Sequence, residues 1–240
     1  MARIAINLYT VRALEEPLLD VIDRVADAGY DGVQFSGEVE SADPVAVGDR
    51  LVERGLDVVP PHVGIDGLEA DPDEATAHYR ELGAGGVVVP WLESAAFADR
   101  ETAADTAARL DALGDALANL GLDLHYHNHD HEFQSVNGTD AYDVVAEQSG
   151  IGLEVDVGWV LTAGRDPAAV IRQYADRVDL VHVKDMADGE FRELGAGNLD
   201  VDACLAAARE GDAEWFVYEH DDPEDPVESL EHGAAFLADH

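Results

Sequence analysis

The chain holds one cysteine and one lysine in 240 residues, and each scarcity excludes something. With Cys204 alone no internal disulfide can form, which fits a reducing, cytoplasmic setting. No apolar run approaches the roughly 18 residues of a transmembrane helix, so no membrane partner is expected. The start MARIAINLYTVRALEE lacks a basic n-region and an apolar h-region, so it reads as a strand and turn rather than a signal peptide. Positive charge is sparse as well: no stretch clusters arginine or lysine, which speaks against a nucleic-acid partner. Glycine-rich phosphate loops are missing. Leu8–Arg12, after the first strand, reads LYTVR, and no G-x-G-x-x-G or Walker A pattern occurs elsewhere.

What is abundant is acid. Fifty-two Asp and Glu face fourteen basic residues, thirteen of them arginine, for a formal net charge of −38. Such a surface repels itself in dilute buffer, whereas at about 1 M salt the Debye length falls to about 3 Å and the repulsion is screened. Lysine depletion beside so much Asp and Glu is what a protein from a salt-saturated, halophilic cytoplasm should show. An ordinary acidic protein is the alternative.

Hydrophobic residues make up 47% of the chain, enough for a sizeable core. Short apolar runs at Ile4–Leu8, Gly32–Phe35, Asp57–His62, Gly86–Pro90, Leu122–Tyr126, Gly152–Val155, Val178–Val183 and Trp215–Tyr218 read as strands. Between them Leu14–Ala28, Pro44–Arg54, Pro72–Leu82, Glu101–Leu120, Asp140–Gln148, Pro167–Tyr174, Val201–Arg209 and Pro226–Ala238 have helical spacing. Gly29, Gly55, Gly83, Gly121 and Gly150 follow the helices, while Pro44, Pro72, Pro167 and Pro226 sit near helix starts. Continuous apolar strands alternating with helices predict a parallel sheet covered on both faces. Eight units of about 30 residues predict an α/β fold, a single-domain (β/α)8 TIM barrel over residues 1–240.

In such barrels the chemistry gathers at the carboxyl ends of the strands. Those ends carry His62 on strand three, Trp91 and Glu93 on four, and HYHNHDHEF on five, with His125, His127, His129, Asp130, His131 and Glu132. They continue with Glu154 and Asp156 on six, His182, Lys184 and Asp185 on seven, and Glu219, His220 and Asp221 on eight. Seven of the ten histidines lie there. A carboxylate inside an apolar run, such as Asp156 after LEV or Glu219 after WFVY, is costly unless paired or bound to a metal. Oxygen and imidazole ligands together suit Mn, Mg, Zn or Co. Lys184, on the same strand face as His182, reads either as a substrate contact or as a structural ion pair with Asp185 or a neighbour. Trp159 and Phe133 read as packing at the barrel mouth, with stacking on a sugar as the alternative. The turn Gly195–Asn198 reads as the opening of a helix at Asp200 rather than a phosphate cradle.

The segments YHNHDHEF, LEVDVGWV-x3-G-x-DP, RVDLVHVKD, LGAGNLD and EWFVYEHD resemble the sugar phosphate isomerase/epimerase family with the xylose-isomerase-like TIM barrel, and AINLYTVR and GYDGVQFSG extend the likeness to the first two strands. The resemblance implies one divalent cation held by Glu132, Asp156, His182 and Glu219. It also implies Glu132 and Glu219 as the acid/base pair and His62, His127 and Lys184 as groups that orient substrate hydroxyls. This sequence departs from the ketose epimerases in one respect. They carry the first metal glutamate on strand five itself, where His125 stands here, and Glu132 comes only in the following loop, with His127 or His129 as its substitutes.

A cation chelating a ketose carbonyl and the adjacent hydroxyl acidifies the proton between them, and a carboxylate can then move that proton through an enediolate. The expected activity is therefore metal-dependent isomerisation or epimerisation of a small carbohydrate. The alternatives are a dehydratase of keto-polyols on the same barrel, a phosphodiesterase like the apurinic endonuclease of this fold, and a non-catalytic sugar-binding barrel. A homo-oligomer is compatible with all of these.

Overall fold

Eight short strands pair in parallel around a common axis: β1 (Arg3–Asn7), β2 (Gly32–Gln34), β3 (Asp57–Val59), β4 (Gly86–Val89), β5 (Asp123–His127), β6 (Gly152–Asp156), β7 (Val178–Val183) and β8 (Trp215–Tyr218). Their order is β3-β2-β1-β8-β7-β6-β5-β4. The two ends of that series meet, because the Val88 amide donates to the Pro61 carbonyl (2.8 Å) and the Val63 amide to the Val88 carbonyl (2.9 Å). The sequence predicts a strand through His62, but regular pairing stops at Val59 because Pro60 and Pro61 have no N–H to offer. The computed structural model describes residues 2–240, except the side chains of residues 40 and 41.

Eight helices follow the strands in turn: α1 (Leu18–Ala28), α2 (Pro44–Arg54), α3 (Pro72–Glu81), α4 (Arg100–Ala118), α5 (Ala141–Gln148), α6 (Pro167–Gln173), α7 (Val201–Glu210) and α8 (Pro226–Asp239). Six of the fifty-two acidic residues have a local purpose here. Asp43, Asp71, Asp99, Asp166, Asp200 and Asp225 each accept a hydrogen bond from a backbone N–H in the first turn of the following helix. Four of these aspartates precede a proline at the first helical position, whose φ is pre-set for the helix. Gly29 and Gly55 end α1 and α2 in the left-handed conformation, at φ 100° and 69°.

The period-two alternation of each strand divides the core into two layers. Val33, Val87, Tyr126, Val155, Val181 and Phe216 point outward, into the main hydrophobic cluster beneath the helices. Ala5, Val59, Val88, Leu180, Trp215 and Val217 point inward and plug the barrel. Above this plug, at the carboxyl ends of the strands, the inward residues become polar, and Asn7, Gln34, His127, Glu154, Asp156 and His182 are all buried there. The loops above carry two extra helical turns, Ile65–Ala70 and Val157–Thr162, and two hairpins, Ser135–Asp140 and Asp185–Arg192, all too short to register as periodicity in the sequence. Among the described residues no helix is long and apolar enough to cross a membrane.

Candidate metal centre

Four buried side chains from consecutive strands converge on the barrel axis: His127 of β5, Asp156 of β6, His182 of β7 and Glu219, one residue past β8. One ligand atom from each lies within 4.8 Å of the others. Each is placed by the alternation of side chains along its strand. Asp156 is further constrained as the cap of the turn Val157–Thr162. Its Oδ1 accepts from the Trp159 amide (2.9 Å), and Asn128 bridges its backbone through N–H (3.1 Å) and carbonyl (3.2 Å). Oδ2 receives no well-directed hydrogen bond and has the Lys184 ammonium at 3.0 Å and His127 Nε2 at 3.8 Å. Two imidazoles and two carboxylates, one with an unsatisfied buried oxygen, form a donor set that fits a divalent transition-metal cation.

Lys184 enters this group as its fixed positive charge. Its Nζ lies 3.0 Å from Asp156, 2.7 Å from Glu219 and 2.9 Å from Asp221, with the Trp159 ring 5.2 Å away. The close fit needs Gly158, where a Cβ would stand 2.8 Å from the Lys184 carbonyl oxygen. Asp185 is not its partner. Alternation turns Asp185 to the opposite face, where its carboxylate accepts the amides of Gly195 (3.0 Å), Gly197 (2.9 Å) and Leu199 (3.0 Å). Two N–H groups of the Gly195–Asn198 turn and that of the next residue are therefore claimed by a side chain of the protein itself.

The protonation states follow from this packing. Burial alone would lower the Lys184 pKa, but the three carboxylates outweigh it and raise it well above the ordinary lysine value. Burial likewise opposes a charged His182, yet Glu154 and Glu219 overcome it and raise its pKa to about 10. Glu219 is held well below the usual carboxylate range by Lys184 and His182 despite its burial. At Asp221 desolvation prevails over the lysine and the pKa is raised. His129, desolvated and beside His127 and Lys184, is lowered to about 2 and stays a neutral imidazole.

Glu132 stands apart from this group. Its Oε1 accepts from the Tyr126 hydroxyl (2.6 Å) and its Oε2 from the His129 amide (2.9 Å). Tyr126 points outward from β5, between the inward His125 and His127, so the Glu132 carboxylate lies on the helix side of the strand. Burial raises its pKa. His125 does not reach the group either. It lies deeper in the barrel against Gly152, where a Cβ would be 2.3 Å from its ring, and its Nε2 meets Asp179 (3.1 Å). Of the two substitutes for Glu132, His127 faces the other donors. His129 lies against Trp159, with ring centroids 5.4 Å apart and the planes tilted by 35°.

A second polar layer lies directly below. Glu154 contacts His62, His127 and His182, and the Gln34 amide contacts both Glu154 (2.6 Å) and His182 (2.7 Å). Gln34 and Asn7 escape a sequence reading aimed at charged and imidazole groups. Their signal is the same as for Asp156, a polar residue inside an apolar strand, here GVQF and IAIN. Phe133 packs on Tyr142, with centroids 4.8 Å apart, and His220 turns to the far side of its strand, receiving the Asp222 amide (3.2 Å).

Above the donors opens a cavity of about 400 Å³ lined by His62, His127, His129, Lys184, Glu219 and Asp221, with Tyr9 and Trp91 at its rim. Those two rings are 42% and 46% exposed, unusual for large aromatic side chains in this protein, and present flat apolar faces beside polar groups. Carboxylates, imidazoles and one ammonium against aromatic faces can bind a polyhydroxylated ring and exchange protons with it.

A model of the xylose isomerase-like TIM barrel family matches residues 22–240. Inosose dehydratase from Lacticaseibacillus casei is 27% identical over 103 residues, which span 42% of this chain and 34% of that protein. A sugar phosphate isomerase/epimerase from Parabacteroides distasonis superposes with a TM-score of 0.85 at 17% identity, covering 100% of this chain and 99% of that one. An L-ribulose 3-epimerase superposes with a TM-score of 0.77 at 20% identity, covering 99% and 94%.

Proposed function

The chain belongs to the xylose isomerase-like TIM barrel family, and from that membership and the site we propose that it is a divalent-cation-dependent carbohydrate isomerase or epimerase. The observation that carries this reading is the convergence of His127, Asp156, His182 and Glu219 beneath a cavity that also holds Lys184. These four residues would hold the cation, with His127 in the place that Glu132 has in the sequence-based set. Mn, Mg, Zn or Co bound there supplies Lewis-acid polarisation of a ketose carbonyl and its neighbouring hydroxyl.

Glu219 is the proposed proton carrier. Both of its close contacts, to His182 (3.0 Å) and Lys184 (2.7 Å), fall on Oε2, which leaves Oε1 to take the proton next to the carbonyl. The Lys184 ammonium, held among Asp156, Glu219 and Asp221 at the cavity wall, supplies fixed positive charge to offset the negative charge that develops on the substrate oxygens. His129 orients a hydroxyl from the cavity wall, where His62, its ring nitrogens engaged by Glu154 and Asn7, adds only shape, while Tyr9 and Trp91 offer faces for the sugar's C–H groups. Glu132, bonded to Tyr126 and to the His129 amide, sets the loop that carries His129.

The test is solvent-deuterium exchange into a panel of ketoses, run in high salt on protein stripped by chelation and then reloaded with Mn2+. Exchange that depends on the added cation is expected; equal exchange in the stripped protein sinks the proposal. The match to inosose dehydratase favours one second reading, dehydration of a keto-polyol, in which the same proton removal is followed by loss of a hydroxyl. A conjugated enone absorbing in the ultraviolet would identify that outcome.

A further inference from the structure

Glu154 is fully buried, lies two residues before Asp156 on β6, and has no part in the reaction described above. Its surroundings can be resolved group by group. Oε1 receives the Gln34 amide nitrogen (2.6 Å) and lies 3.2 Å from His182 Nε2; Oε2 lies 2.7 Å from His62 Nε2 and 2.9 Å from His127 Nδ1. An ionised carboxylate offers about four lone-pair sites and no proton, so four nitrogens surround an acceptor that is filled.

The neighbours leave no freedom in the direction of these bonds. Gln34 Nε2 also donates to the Pro60 carbonyl (2.8 Å), which can only accept, so its Oε1 faces Asn7 Nδ2 (2.6 Å) and His182 Nε2 (2.7 Å). Asn7 Oδ1 accepts from the Tyr9 amide and the Ser36 hydroxyl (both 2.8 Å), so its Nδ2 is the donor toward His62 Nδ1 (3.4 Å). The Gln34, His62 and His182 nitrogens facing Glu154 therefore carry hydrogens, and His127 Nδ1, 2.9 Å from a carboxylate oxygen that can only accept, carries one as well.

We infer that Glu154 is a positioning residue: it keeps a hydrogen on Nδ1 of His127 and, with Gln34, on Nε2 of His182, so that Nε2 of His127 and Nδ1 of His182 face Asp156 and Glu219. The two imidazoles thus offer the cation opposite ring nitrogens. The cation clause rests on the proposed function; the placement of the hydrogens does not. The lower cluster of His62, His127, Glu154 and His182 is compact enough to suggest a second cation. Direct contacts of 2.6 to 3.2 Å on both Glu154 oxygens favour hydrogen bonds instead. Orienting groups of this kind typically contribute about 10–100-fold to metal affinity.

The experiment is heteronuclear NMR on protein with 15N-labelled histidine, with His127 and His182 assigned by single substitution. In cation-free protein at pH 8 the His127 ring hydrogen is expected on Nδ1. Finding it on Nε2 overturns the inference whatever the cation does. After loading with 113Cd2+, couplings are expected to Nε2 of His127 and Nδ1 of His182, with one equivalent bound. Coupling through the other nitrogen of either ring, or a second equivalent coupled to His62, overturns it. Glu154→Gln should release the His127 hydrogen to Nε2 and weaken Cd2+ binding about 10–100-fold, with Glu154→Asp in between. A Glu154→Gln protein that keeps both tautomer and affinity also overturns it. Should that variant fail to fold, the wild-type spectra decide alone. Protein that binds no Cd2+ refutes the proposed function while the His127 tautomer still tests the role of Glu154.

Discussion

The ammonium of Lys184 and the carboxylate of Glu219 meet at 2.7 Å in the barrel mouth, and the same Glu219 oxygen lies 3.0 Å from His182 Nδ1. One oxygen thus joins the only lysine of the chain to the donor set, and the two cannot be altered independently. Lys184→Met, similar in length but uncharged, leaves Asp156, Glu219 and Asp221 without their counter-charge. Breaking a buried pair in this way costs about 3–5 kcal/mol. The melting temperature of stripped protein should fall accordingly, and Mn2+ should raise it more in the variant than in the wild type. Equal rises would show that the cation does not neutralise these carboxylates.

Glu219→Gln keeps the side-chain volume and one ligating oxygen but removes the basic carboxylate. Deuterium exchange should fall by roughly 10²–10⁴-fold, the usual worth of a positioned acid/base group, while Mn2+ affinity drops only moderately. His220→Gln, on the far side of the strand, should leave exchange near the wild-type rate. Exchange surviving in Glu219→Gln would move the proton transfer to another residue.

Glu132→Gln distinguishes ligand from scaffold. The variant amide can still accept from Tyr126, but its nitrogen cannot accept from the His129 amide, which loses its partner. A stability loss of about 1–3 kcal/mol is expected, with Mn2+ affinity within a few-fold of the wild type. Asp156→Asn, in contrast, should abolish tight binding. Loss of the cation in Glu132→Gln comparable to that in Asp156→Asn would restore Glu132 to the ligand set.

Stability should fall toward alkaline pH. His182 binds its proton more tightly folded, at about 10, than unfolded, at 6.5, because Glu154 and Glu219 outweigh its burial. Its contribution is therefore complete below about pH 6.5 and is lost as pH rises through 10. Melts of chelator-treated protein from pH 6 to 10 should fall more steeply for the wild type than for His182→Asn. Parallel curves would contradict the raised pKa.

Salt should stabilise the protein. With a formal charge of −38, self-repulsion weakens the compact state as ionic strength falls. Thermal melts at about 0.1 M and about 2 M KCl measure this directly, the Debye length shrinking several-fold between them. Equal or greater stability in dilute buffer would remove the halophilic reading.

The sequence by itself determined the barrel. Eight apolar runs alternating with helical segments leave little other way to cover both faces of a parallel sheet, and Asp-Pro pairs mark helix starts at Pro44, Pro72, Pro167 and Pro226 to the residue. It also determined which strand ends are rich in carboxylates and imidazoles, because such a group in an apolar run is conspicuous. Side-chain direction was the part it could determine only within a strand. Period-two alternation carries His127, Asp156 and His182 inward together, but it ends where the strand ends. Glu132 lies past the end of β5, in a turn whose path no periodicity describes, and only the folded loop decided that its carboxylate would bond Tyr126 on the outer face. Gln34 and Glu154 come from strands far apart in the chain, β2 and β6, and their hydrogen bond exists only once the barrel closes. Local pattern specifies an element and its faces, whereas contacts across the axis between β2 and β6 are set by closure.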